Sequence, residues 1–204
     1  MKKNRYMVIC TIAILTCSCK STHKTETTKV DSNRHKIETV NNSIDKVYTF
    51  PDDWLGYWKG NIRIFDTNGL KQELPIALDN SLTENPGEYT WAIIYGSDTI
   101  KGRRDYILKT VDAKNGHFVT DEKNGILIDS YVIDNELVSA FEVSNNTITS
   151  TYKLDGEDML FEILMYSSKN PKITGDTIIA GENIPPVKSY GIKVVQKARL
   201  KRVR

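Results

Sequence analysis

Six residues have the types and the spacing to hold a small molecule: Trp91, Tyr95, Arg104, Tyr106, Phe141 and Phe161. In the run from Glu88 to Tyr95, the residues Tyr89, Trp91, Ile93 and Tyr95 fall on one parity. An extended chain turns all four to the same side. Tyr106 and Leu108 repeat that pattern, and Phe141 and Phe161 sit in strand-like stretches of their own. Aromatic faces of this kind receive an apolar body, and Arg104, sharing parity with Tyr106, is placed to anchor an acidic head group. The competing reading is that the aromatics fill a core and that Arg104 is a loop-edge surface residue. Glu162, between Leu160, Phe161, Ile163 and Leu164, is either an outward residue or a second internal polar group.

Catalytic chemistry finds little to work with. The region rich in strand signals has one histidine, His117, directly after the Asn115-Gly116 turn, where a solvated turn-tip side chain is expected. No His, Cys or carboxylate cluster has metal-ligand spacing. No Gly-rich phosphate loop or serine elbow occurs. Asp121 and Glu122 are adjacent on an extended chain, so they point to opposite sides and form no dyad. No catalytic residue, metal or cofactor is therefore expected.

These side chains need strands to position them, and strand signals come regularly after Pro51. The run Trp58-Lys59-Gly60-Asn61-Ile62-Arg63-Ile64 alternates apolar or small residues with polar ones, which places Trp58, Gly60, Ile62 and Ile64 on one face. Further strands are expected over 74–78, 88–95, 106–111, 125–133, 136–143, 147–154, 158–166 and 191–202. Asp134-Asn135, Asn145-Asn146 and Asp155-Gly156 suit tight hairpins. A longer loop holding Pro171, Gly175, Gly181 and Pro185-Pro186 precedes the last strand. No stretch of ten residues or more carries a helical stripe. The expected fold class is all-β, an antiparallel up-and-down barrel of about 8–10 strands, over residues 47–204.

Gly56-Tyr57-Trp58, set after the helical turn expected in Phe50-Pro51-Asp52-Asp53-Trp54, resembles the Gly-x-Trp signature of lipocalins and their calycin relatives. The resemblance spans roughly Pro51 to the C-terminus, and the domain is similar to one carried by lipoproteins of the Bacteroidota. It implies that Trp58 closes one end of the barrel beneath an arginine of the final strand. Parity nominates Arg202 for that place, with Arg199 the alternative if a bulge intervenes. It also implies a small apolar or amphipathic ligand inside the barrel, for carriage, sequestration or sensing. A barrel filled by its own side chains, serving as a structural or interaction protein, is the alternative. Some calycin-like barrels are isomerases or decarboxylases, for which Arg104, Tyr106 and Glu162 would be the candidates here. Others resembling this one bind haem through a late-strand histidine; no histidine follows His117, although Tyr or Met could take that place.

The leader sets the expected address. Lys2, Lys3 and Arg5 precede an apolar run from Met7 to Thr16, the layout of a secretory signal and too short to span a bilayer. Leu15-Thr16-Cys17-Ser18-Cys19 resembles the lipobox of bacterial lipoproteins, with cleavage before Cys19 and Cys17 as the alternative. This gives a signal peptide over 1–18, a lipidated Cys19 and a polar tether over 19–46 that holds His23 and His35. Lys20 after the anchor cysteine implies sorting to the outer membrane. Loss of Lys2, Lys3 and Arg5 takes the formal charge from +2 to −1, so no nucleic-acid partner is expected. The expected partners are a membrane, through the lipid anchor, and a small hydrophobic ligand.

Overall fold

The computed structural model describes residues 48–203. The signal peptide, Cys19 and the tether lie outside the described residues. A short 3₁₀ turn, Asp52–Trp54, leads into fifteen strands. These are β1 (Gly56–Asp66), β2 (Gly69–Leu82), β3 (Glu88–Tyr95), β4 (Arg103–Arg104), β5 (Ile107–Asp112), β6 (His117–Asp121), β7 (Leu127–Ile133), β8 (Glu136–Val143), β9 (Asn146–Asp155), β10 (Asp158–Ser167), β11 (Lys172–Thr174), β12 (Thr177–Ile179), β13 (Glu182–Ile184), β14 (Val187–Ser189) and β15 (Ile192–Val203).

Each hairpin pairs with the next, and β15 pairs with both β10 and β1. The pairing of β2 with β3 closes the ring, giving a ten-stranded antiparallel barrel in which β4 continues the line of β5 beside β3. Closure leaves no long unpaired edge. The turns explain part of the regularity. Asp134 and Asn135, and likewise Ser144 and Asn145, hold left-handed φ angles of 46°, 61°, 48° and 62°. Two consecutive left-handed residues make the hairpin turn whose twist matches that of the strands, and Asn and Asp tolerate it best. The second turn is thus Ser144-Asn145, one residue earlier than the sequence suggests, because Asn146 already pairs with Val143.

Two further differences are local. His117 opens β6, whose five residues are too few to show a clear alternation in the sequence. His117 is no solvated turn tip: its Nε2 lies 2.7 Å from Asp129 Oδ1, and its ring stacks on Tyr131 at 4.7 Å. The expected loop before the last strand holds an exposed hairpin arm, with β11 paired to β14 and β12 to β13.

One end of the barrel is shut by its own N-terminal segment. Trp54 and Trp58 are buried, and the Trp54 carbonyl accepts from Trp58 Nε1 at 3.0 Å and Asn80 Nδ2 at 3.3 Å. Those bonds satisfy a carbonyl at the end of a helical turn, which otherwise lacks a partner. Phe50 sits edge-on to Trp54 at 5.1 Å and to Phe118 at 4.8 Å. Tyr48 donates to the Gly156 carbonyl across the same end. Burying each of these large side chains stabilises the fold by about 1.5–3 kcal/mol.

Candidate functional site

The strand register arranges the inner wall in rows. Gln196 pairs with Ile163, Ile163 with Ser150, Ser150 with Ser139, and Ser139 with Ser130. One row across β15, β10, β9, β8 and β7 is therefore mostly polar. The row toward the closed end runs Ala198, Phe161, Tyr152, Leu137 and Val132. Toward the other end stand Met165, Ile148 and Phe141. A polar belt thus lies between two apolar rows, because every second residue of each strand faces the interior.

The belt is internally bonded on one side. Ser130 and Ser139 hydroxyls lie 2.7 Å apart, and Thr120 Oγ1 is 3.3 Å from Ser130 Oγ. Gln196 is buried, yet its Oε1 has no hydrogen-bond partner. Trp91 is buried likewise, with its indole N–H turned toward the Tyr152 phenol. The Trp91 ring meets Tyr152 at 5.7 Å, edge to face, and Tyr152 packs on Phe161 at 4.7 Å. Burial, reinforced by the neighbouring Tyr95 and Tyr106, pushes the Tyr152 phenol far above its ordinary pKa. It stays protonated at any physiological pH, a neutral hydrogen-bonding group.

Solvent access divides the interior. Toward the closed end Trp54, Trp58, Ile62, Met159 and Leu200 are fully buried. On the same inner parity but farther from it, Tyr95, Tyr106, Thr120, Phe141, Ser150 and Ile163 are only half-buried. Ile148 and Met165, farther still, are buried, so solvent reaches the far half of the wall in patches and does not reach the floor.

The six residues singled out in the sequence divide accordingly. Trp91 and Phe161 belong to the buried floor, while Tyr95, Tyr106 and Phe141 belong to the half-buried wall. Arg104 shares the inner parity through its pairing with Ile93 but lies exposed at the rim. Its guanidinium turns back onto the carbonyls of Lys101 and Arg103, at 3.3 and 3.2 Å. Glu162 faces outward and pairs with Lys197 at 3.0 Å, so Arg104, Tyr106 and Glu162 are not brought together as an acid–base set. Tyr152, Ser130, Ser139, Ser150 and Gln196 are the site residues that sequence reasoning missed. Each was on the inner parity of its strand; serine and glutamine simply gave no chemical signal without the register.

At the closed end Arg202 Cζ lies 4.4 Å from the centroid of the Trp58 ring, and Arg199 instead bonds Asp155 and Asp158 on the outer face. Among the described residues no group of three or more His, Cys, Asp or Glu is arranged to hold a metal ion.

These features define a closed antiparallel β-barrel with a plugged floor and a polar belt above it. No family model and no curated protein matches the sequence. Among solved structures the chain is similar to a protein of unknown function from the DUF3598 family of Nostoc punctiforme, with a TM-score of 0.51 and 13% identity. The match covers 74% of this chain and 48% of that one, so it spans about half the length of its neighbour. The likeness extends to the fold.

Proposed function

We propose that this is a calycin-like lipoprotein of the bacterial cell envelope that binds a small apolar or amphipathic molecule inside its barrel, for carriage, sequestration or sensing. One observation carries the reading: Tyr95, Tyr106, Thr120, Phe141, Ser150 and Ile163 are half-buried although they lie on the inner parity of a closed barrel. A wider barrel has more interior than its own side chains need, and ten strands exceed the eight whose interior side chains just fill. Serines at Ser130, Ser139 and Ser150 fill little of it. The Gly-x-Trp strand, with Arg202 over Trp58, supports the calycin likeness.

The anchor is proposed at Cys19, with Cys17 as the alternative, and Lys20 favours the outer membrane. Two acyl signals or more are needed for firm attachment, which lipoprotein acylation supplies. Cys19→Ala should move the protein from the membrane to the soluble fraction, and unchanged fractionation would reassign the anchor.

Binding is tested by titrating the mature sequence without its acyl group (residues 19–204, Cys19→Ala) with Nile red, a neutral dye that brightens in apolar sites. A saturable rise abolished by Tyr106→Glu supports the reading. A rise insensitive to that substitution removes the internal site.

The second reading, a non-catalytic interaction lipoprotein, is favoured by the hairpin arm, which leaves Ile173, Ile178, Ile179 and Val187 exposed. Such apolar exposure marks contact surfaces.

A further inference from the structure

We infer that the ligand is an uncharged amphipath, whose apolar body lies on the half-buried aromatic wall of Tyr95, Tyr106 and Phe141 and whose hydroxyl, carbonyl or amide group meets the polar belt. The inference rests on the binding function proposed above and names the chemical class that the site takes.

The argument is one of charge placement. By register, the charged residues of the barrel strands face outward: Lys109 bonds Asp121, Lys153 bonds Glu136, Lys197 bonds Glu162, and Arg199 bonds Asp155 and Asp158. Among the described residues, the ionised side chains on the inner parity of the barrel strands are Asp66, Arg104 and Arg202, all at strand ends, and Asp66 is paired with Lys71 at 3.2 Å. Arg104 is held by two backbone carbonyls, and Arg202 covers Trp58 while donating to the Asp53 carbonyl. Between them the wall offers hydroxyls, phenols, an amide and an indole N–H. A charged head group buried there would lose its hydration and gain no counter-ion, a cost that neutral hydrogen bonds do not offset.

A wholly apolar ligand fits less well. Gln196 Oε1 is a buried acceptor that lacks a partner. Buried polar groups are nearly always satisfied, and unsatisfied ones call for an explanation. A ligand hydroxyl or amide that donates supplies it. The Ser130–Ser139 pair, already bonded at 2.7 Å, needs no ligand and holds the belt in place.

The test uses the same unacylated mature chain, whose barrel closes within residues 48–203. Bound Nile red is displaced with 1-octanol, octanoate and octylammonium, which share one apolar body. Octanol is expected to displace at a concentration at least about tenfold lower than either ion at neutral pH, a difference of about 1.4 kcal/mol. Octanoate should close that gap as pH falls and its carboxylate protonates, while octanol stays constant. Gln196→Met should weaken octanol severalfold, and by a larger factor than it weakens Nile red. If octanoate or octylammonium displaces as well as octanol, the inference falls and the binding function stands. If neither Nile red nor any of the three binds, both fall together.

Discussion

Arg202 and Trp58 are cross-strand partners in the register of β15 and β1, and the guanidinium carbon lies 4.4 Å above the indole centroid while Nη2 donates to the Asp53 carbonyl at 2.6 Å. One side chain thus ties the last strand, the first strand and the turn that plugs the barrel. Gly56 holds a φ of 130°, a left-handed backbone that glycine adopts without strain, so the Gly of the Gly-x-Trp run serves the chain's entry into β1 beside Arg202. Replacing Arg202 by Met keeps the stem and removes the charge. The expected loss is about 1 kcal/mol, since an exposed cation over a ring contributes about 0.5–1 kcal/mol. Urea unfolding measures it, and a variant as stable as the parent would show that this contact does not hold the floor.

Asp158 is the buried carboxylate of the outer face, held below its ordinary pKa first by Lys201 and then by Arg199. Because its folded pKa is depressed, its contribution to stability is complete above the unfolded pKa of about 4. That contribution disappears as pH falls through the lowered folded value. Asp158→Asn should therefore be less stable than the parent at neutral pH, and the two unfolding curves should converge in strong acid. A stability gap that stays constant from neutral pH into acid would mean that the ion pairs play no part.

Ser139→Leu separates a hollow barrel from a filled one. Where the polar belt borders open space, the added side chain occupies it and displaces Nile red, and thermal stability falls only by the lost Ser130–Ser139 hydrogen bond, about 0.5–1.5 kcal/mol. A packed interior would be overfilled as well, at a further cost of about 1–3 kcal/mol. Paired melting and binding curves decide between the two.

Tyr152 should be silent in a phenol titration. Its pKa lies far above the ordinary value of about 10, so near-ultraviolet phenolate absorbance of the folded protein should be the same with and without Tyr152→Phe. Removing the hydroxyl should nonetheless weaken octanol binding severalfold if the ligand reaches the belt. A titration step that vanishes in Tyr152→Phe would place the phenol in water.

The amino-acid sequence carries the barrel plainly, since period-two alternation and Asn- or Asp-rich turns are local signals. Trp58, Trp91 and Phe161 could be placed inside for the same reason. The polar belt could not be found that way. Ser130, Ser139 and Ser150 come from three strands and become one row only through pairing registers, which no local pattern encodes. Arg104 shows the opposite limit: its parity points inward, but the loop carbonyls beside it capture the guanidinium. Glu162 was undecided between two faces until Lys197, on the neighbouring strand, fixed it outside.

The most direct test is native mass spectrometry of the full, anchored protein extracted from its own membranes in mild detergent, beside the Ser139→Leu variant. A single small neutral molecule bound one-to-one to the parent, absent from the variant and released on denaturation, is the predicted result. A parent that flies with no added mass, or with the same lipids as Ser139→Leu, would contradict an internal binding site.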